Sequence, residues 1–208
     1  MDLEWIAAVE FESTKPSIVK SIKQRELLNS WLRLYAPEQL VPRIDDYHPT
    51  LLDEELPDLV YYTVDLAPEP PRLTIQSHGT RISIAYGKTG KGRYLDEYVG
   101  ARLASVVMPV YHQCVARQIP VYSISEMDDI HGRVVAYERL LLPFAEGGRV
   151  AHLIASLKTI SLDGGFEIKD LMRGNAELPR IKLYSVIDQD LFHQMPGLIP
   201  AADVIEFS

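Results

Sequence analysis

The 208-residue sequence predicts an α+β domain: a five-stranded antiparallel sheet with helices cupped on one face and a long N-terminal helix on the other. Three observations predict it. Five strand-like runs fall into a pair, at 59–66 and 72–78, and a triplet, at 121–128, 134–142 and 150–160. Short turn-forming segments join the runs within each group, which makes the neighbours antiparallel. A long amphipathic helical pattern precedes the pair, and an apolar helical stretch lies between pair and triplet.

Residues 1–14 are acidic and mixed, and Trp5 to Glu12 fits a short strand or a helical turn equally. Lys15-Pro16 then opens a helix, with Ser13 or Thr14 as the cap and Pro16 at the first helical position. Ile18, Ile22, Leu28, Trp31, Leu32 and Tyr35 recur at helical spacing and Pro37 stops the run, so the helix is predicted over 16–36. Its stripe covers the domain itself or serves as a seam between two copies. Pro42, Pro49 and Pro57 punctuate a connector with one short helical segment, 51–56. In the first strand Val60, Tyr62, Val64 and Leu66 share a face. Pro68-Glu69-Pro70-Pro71 turns the chain into the second, with Leu73 and Ile75 inward.

Residues 79–98 are short, Gly-punctuated and partly helical, and 100–118 reads as a helix apolar nearly all round. Pro109 is predicted to kink it near Ser105, and Pro120 ends it. Asp129-Ile130-His131-Gly132 and Ala145-Glu146-Gly147-Gly148 supply the two turns of the triplet. Its last two strands are apolar on both faces, which requires a cover on each side. Beyond Ser161 a helix is predicted to start after Gly164-Gly165, 178–187 reads as extended, and Pro196 to Pro200 as irregular. The chain thus divides into an N-terminal segment and helix (1–37), a central domain (38–161) and a C-terminal extension (162–208).

A net charge of −8 with no Lys/Arg run argues against phosphate-rich partners, nucleic acid or an anionic membrane surface. The single cysteine, Cys114, excludes an internal disulfide and fits a reducing cytoplasm. The acidic start, Met1-Asp2-Leu3-Glu4, is unlike a signal peptide, and no apolar run approaches the roughly 18 residues a membrane span needs.

Gly87-Lys88-Thr89-Gly90-Lys91-Gly92 looks at first like a phosphate loop. A Walker A loop needs a glycine five positions before Gly87, where Ile82 stands. The dinucleotide fingerprint fails at Leu95, where its third glycine belongs. Catalytic signatures are equally missing: no G-x-S-x-G elbow, no H-x-x-x-H or C-x-x-C pair, and a Cys114 placed in an apolar helix. No catalytic residue and no metal ligand is therefore assigned. His112 shares a helical face with Ser105, Met108 and Val115. Glu138 shares a strand face with Val134, Ala136, Leu140 and Leu142, opposite to Arg139. It pairs with Arg133, Arg149 or Lys158, or else lines a pocket. A pocket is expected between the sheet and the 100–118 helix, lined by Tyr62, Ile75, Met108, His112, Glu138 and Leu140.

Several motifs in order carry a family resemblance: Gly79-Thr80-Arg81-Ile82, Gly92-Arg93-Tyr94-Leu95-Asp96-Glu97, Pro120-Val121-Tyr122 and Tyr137-Glu138-Arg139-Leu140-Leu141-Leu142-Pro143. Over about residues 28–161 the chain resembles a bacterial PAS subfamily. The resemblance implies the PAS fold, with the second hairpin strand at one sheet edge and the 121–128 strand at the other. It places Gly87 to Gly92 at the rim of the cup, joining two short helices. It implies a stand-alone sensory or regulatory protein without catalytic output, acting through contact with another signalling protein. Residues 162–208 are too short for a kinase, cyclase or phosphodiesterase module. The resemblance also implies a homodimer whose seam draws on Ile18, Ile22, Leu28, Trp31 and Leu32. A filled or small cup without cofactor is expected; a haem, flavin or metabolite sensor is the alternative, with His112 the haem candidate. A small enzyme using an acidic pocket residue such as Glu138 is the third reading.

Overall fold

A computed structural model describes residues 11–35, 40–50, 52–162, 164–165, 167–171 and 178–187. Seven strands make one sheet: β1 (Glu12–Thr14), β2 (Leu59–Asp65), β3 (Arg72–His78), β4 (Val121–Asp128), β5 (Val134–Glu146), β6 (Arg149–Ser161) and β7 (Arg180–Ile187). Their order is β1-β7-β4-β5-β6-β2-β3. The five expected strands form its contiguous antiparallel block, and β3 is the edge on one side. The expectation for the other edge is corrected. β4 is internal, because β7 pairs with it antiparallel and β1 adds to β7 in parallel. Apolar Tyr184, Val186 and Ile187 are buried there, so β1 and β7, drawn from the two flanking segments, extend the central sheet.

The β5–β6 connection is a two-residue turn with Gly147 and Gly148 both at positive φ, the geometry of a type I′ hairpin. At the β4–β5 turn Asp129 accepts the amide hydrogens of His131 (2.8 Å) and Arg133 (3.0 Å), an Asx-type closure. β5 runs through Pro143 to Glu146, beyond the predicted end at Leu142. β4 stops pairing at the level of Leu141, so only β6 flanks Pro143, and its missing N–H costs the sheet little there.

Five helices cover the two faces: α1 (Ile22–Tyr35), α2 (Leu52–Glu55), α3 (Thr80–Tyr86), α4 (Leu95–Val99) and α5 (Ala101–Arg117). The predicted 16–36 helix begins later than expected. Pro16–Ile18 is one 3-10 turn, Val19 is extended and buried, and α1 starts after Ser21. Ser21 Oγ accepts the Gln24 amide hydrogen at 3.4 Å, so Ser21, not Ser13 or Thr14, caps the helix. Thr14 lies in β1. The expected stop at Pro37, the helix start after Gly164-Gly165 and the Pro196–Pro200 segment lie wholly or partly outside the described residues. α5 is continuous through Pro109 and ends at Gln118 in the left-handed conformation (φ 59°).

Two apolar layers result. On one face Leu27, Leu28, Trp31 and Leu32 of α1 pack on Tyr122, Leu140, Leu142, Phe144 and Ile154. On the other, α3, α4 and α5 pack on Val60, Tyr62, Leu73, Ile75, Leu141 and Leu153. Trp31 is fully buried and donates its indole N–H to the Pro143 carbonyl at 2.7 Å. Three of the five residues expected at a dimer seam, Leu28, Trp31 and Leu32, are therefore buried against their own sheet. Ile18 is half-buried and only Ile22 is exposed, at 74%. Among the described residues no helix is long and apolar enough to cross a membrane.

Candidate functional site

A cavity of about 60 Å³ lies inside the cup. Val60 and Tyr62 of β2, Ile75 and His78 of β3, and Tyr137, Arg139, Leu157 and Thr159 of β5 and β6 form its sheet side. Ile82, Ala85 and Tyr86 of α3, Leu95, Tyr98 and Val99 of α4, and Val107 and Tyr111 of α5 close it from the other. Asp58 and Arg81 stand at one end.

Of the pocket residues expected from sequence, Tyr62 and Ile75 line the cavity. Met108 is half-buried against the same apolar layer but does not reach the cavity. His112 is buried and engaged at 3.0 Å with the Pro71 carbonyl outside it. Burial lowers the His112 pKa, and the bond to Pro71 partly offsets this. Glu138 and Leu140 are on the opposite face, beneath α1. The register gives the reason. Tyr62 pairs with Leu153 and Val60 with Ala155; Ala155 pairs with Leu141 and Leu157 with Arg139. Directly paired residues share a face, so Tyr137, Arg139 and Leu141 point into the cup, and Glu138, Leu140 and Leu142 away from it.

Glu138 is 1% exposed, and its Oε2 has no hydrogen-bond partner. Its expected partner Lys158 is its register neighbour, yet the Lys158 ammonium goes to Glu55 (2.6 Å) and Asp58 (2.7 Å). Cys114 is buried and burial pushes its thiol pKa well up, which leaves it a packing residue.

The glycine-rich loop is folded down along β3. Gly92 N donates to Ile75 O at 2.7 Å, Ile75 N to Arg93 O at 2.9 Å, and Thr74 bridges Tyr94. Gly90 N donates to His78 Nε2 at 2.9 Å, and Tyr98 Oη to the Lys88 carbonyl at 2.9 Å. A Cβ on Gly90 would meet Ile75 Cδ1 at 2.8 Å and the Tyr98 ring at 3.1 Å. The glycine thus permits close approach of the rim to the cavity wall. Lys88 and Lys91 are exposed. Arg72 holds α4 against β3 through Asp96 and Glu97, both at 2.9 Å, and its guanidinium lies 3.5 Å from the Tyr94 ring centre.

Arg139 is the feature that sequence reasoning missed. It is 7% exposed, and its Nε has no hydrogen-bond partner. The groups that act on its charge, after burial itself, which disfavours it, are Tyr111, Tyr137, Tyr86 and Tyr62. Its guanidinium carbon lies 5.5 Å from the ring centres of both Tyr111 and Tyr137. Burial raises the pKa values of Tyr62, Tyr86 and Tyr137, so these phenols are neutral at physiological pH. Tyr62 and Tyr111 share a hydrogen bond of 3.1 Å between their hydroxyls. The one carboxylate lining the cavity, Asp58, is taken by Arg81 at 2.7 Å and by Lys158. The signal in the sequence was parity: residues 137, 139 and 141 share a face, but both faces of β5 are apolar and pattern alone does not choose between them.

Among the described residues no group of three or more His, Cys, Asp or Glu side chains is placed to hold a metal. No family model matches the chain, and no curated protein matches it. Among solved structures it is similar to a light-oxygen-voltage domain described in work on that domain's mechanism with a flavin analogue. The two are 14% identical, the match covers 54% of this chain and 83% of the other, and the TM-score is 0.40. A likeness so distant carries no weight for function.

Proposed function

We propose that the chain is a PAS-type sensory domain whose cup takes up a small molecule and whose output is contact with another protein. The cavity between the sheet and α3, α4 and α5 carries this reading. The motifs that suggested a PAS domain have physical roles around it. The Gly92-to-Glu97 stretch pins the rim loop and α4 to β3, and the Tyr137-to-Pro143 stretch alternates between the cavity and the α1 face. Ligand sites are concave, mostly apolar and furnished with a few polar groups, and this one has mostly apolar walls, tyrosine hydroxyls, the His78 ring and the guanidinium groups of Arg81 and Arg139, with Arg81 already paired to Asp58.

At about 60 Å³ the cavity is far below the roughly 300–1,000 Å³ of sites for drug-sized ligands. A haem or flavin fits only if the cup opens widely, and His112 faces Pro71 rather than the cavity. The reading therefore favours a compact metabolite. An enzyme built on Glu138 is disfavoured by that residue's place under α1, sealed from the cavity. Residues 138 and 139 also connect the two faces: Arg139 points into the cup, while the Glu138 carbonyl receives Gln24 Nε2 of α1 at 3.5 Å. Occupancy of the cup then alters α1, which serves as the output surface.

The test is amide and methyl NMR of the purified protein against a set of small acids, amides and alcohols. Saturable shifts at Val60, Ile75, Ile82 and Val107 support the reading. Shifts confined to the surface, or absent for every compound, overturn it.

A further inference from the structure

The charges around the cavity do not balance, and the imbalance names the ligand. Asp58 lines it, and Glu55 is linked to Asp58 through Lys158; the two carboxylates are almost fully and fully buried. With the neighbouring Glu54 they are met by three cations: Lys158 contacts both, Arg81 contacts Asp58 through one nitrogen at 3.0 and 2.7 Å, and Lys23 reaches Glu54 at 3.1 Å and Glu55 at 3.6 Å. Arg139 remains. Among the described residues no carboxylate forms an ion pair with it, its Nε is unsatisfied, and it is more than nine-tenths buried in the cavity wall. Neutral tyrosine rings and hydroxyls soften the burial of its charge but do not cancel it. A buried charge without a partner is costly, and here it is aimed into a space that an anion fills.

We infer that the cup binds a small monocarboxylate with an apolar body, its carboxylate held by the guanidinium of Arg139. This rests on the reading of the cup as a small-molecule site. The single uncompensated positive charge selects a monoanion; a phosphate or sulfate dianion would exchange one unpaired buried charge for another. The fork of a guanidinium matches the two oxygens of a carboxylate. Tyr137 and the Tyr62–Tyr111 pair stand beside it with hydroxyls able to donate to the same oxygens. The remaining walls are largely apolar, Ile75, Ile82, Leu95 and Val107 among them, with His78, Thr159, Tyr86 and Tyr98 interspersed. The volume is less than half that of a roughly 150 Å³ cavity that takes benzene. Acids of two or three carbons therefore fit as the cup stands, and butyrate or an aromatic acid fits only with adjustment of the rim.

The experiment uses the full chain and two matched pairs of probes, butyrate with butyramide and benzoate with benzamide. Each is followed by thermal melting and by NMR shifts at the cavity residues. Butyrate is expected to raise the melting temperature saturably and to shift Ile75 and Val107; butyramide, equal in size and uncharged, is expected to bind at least tenfold more weakly. Arg139→Met removes the unpaired charge while keeping the volume. It is expected to melt no lower than the unmodified protein and to lose the response to butyrate, by roughly 10- to 100-fold in affinity. Arg139→Lys keeps the charge without the fork and is expected to fall between, which maintains the test if the methionine variant does not fold. Acids and amides bound equally well, or an acid response retained in Arg139→Met, overturn the carboxylate assignment and leave the small-molecule reading standing. If no probe of either kind shifts the cavity residues, both fall.

Discussion

Trp31 is where the placement of α1 is most directly testable. It is fully buried, stacks on Tyr35 with ring centres 5.3 Å apart, and gives its indole hydrogen to Pro143. Truncation to alanine removes the largest side chain of the layer between α1 and the sheet, a change that costs about 3–5 kcal/mol in a packed core. Against a total stability of about 5–15 kcal/mol, that is a large fraction. For a chain of this size it corresponds to a fall in melting temperature of about 6–20 °C. Trp31→Phe keeps most of the packing and leaves the Pro143 carbonyl without its donor, so it is expected to cost about 1–3 kcal/mol. Urea unfolding followed by far-UV circular dichroism measures both. The transitions should not depend on protein concentration, because Trp31, Leu28 and Leu32 are satisfied within one chain. An alanine variant that loses less than about 1 kcal/mol would refute the packing of α1. A midpoint that moves with protein concentration would instead restore the seam between copies.

Three further outcomes follow from the geometry. Because the folded His112 pKa lies below its ordinary value, the unfolded chain takes up the proton first. Stability from this group is thus complete above about pH 6.5 and is lost as pH falls toward the folded pKa; His112→Gln, able to keep the Pro71 bond, should flatten that part of a pH–melting profile. Gly79→Ala drives a Cβ into the Leu56–Pro57 backbone and should cost at or beyond the top of an overpacking range of about 1–3 kcal/mol, whereas Gly90→Ala meets mainly the movable end of Ile75 and should cost about 1 kcal/mol; denaturant titration ranks them, and the reverse order would refute the placement of the rim loop. Glu138→Gln should leave the response to butyrate unchanged by thermal melting, since Glu138 lies on the other side of the sheet from Arg139.

The strand pattern was readable because period-2 alternation and glycine turns are local signals. Expected and observed spans of the five central strands differ by at most a few residues, mainly at the C-terminal end of β5. What failed was mostly non-local. One miss was local: Ser21-Ile22-Lys23-Gln24 has the spacing of a capping box, which competes with the earlier start that Pro16 offers. The partner of β4 lay in a segment that read as extended without a reason to pair. The face of β5 that meets the cup depends on its register with β6 and, through β6, with β2, a strand far earlier in the chain. Choosing the wrong parity put Glu138 in the cavity and hid Arg139.

The pairing of β1 with β7 sets Glu12 beside Ser185, residues from opposite ends of the chain. Such a contact closes the longest loop among the described residues, so its ordering entropy is met only after the intervening sheet exists. It is expected to zip last during folding and to open first, in hydrogen exchange as in proteolysis. β1 is three residues long and contributes three paired positions, so that opening is inexpensive and stays local. The chain therefore carries its least durable hydrogen bonds where its two flanks meet, and a tug on either flank reaches the other before it reaches the cup.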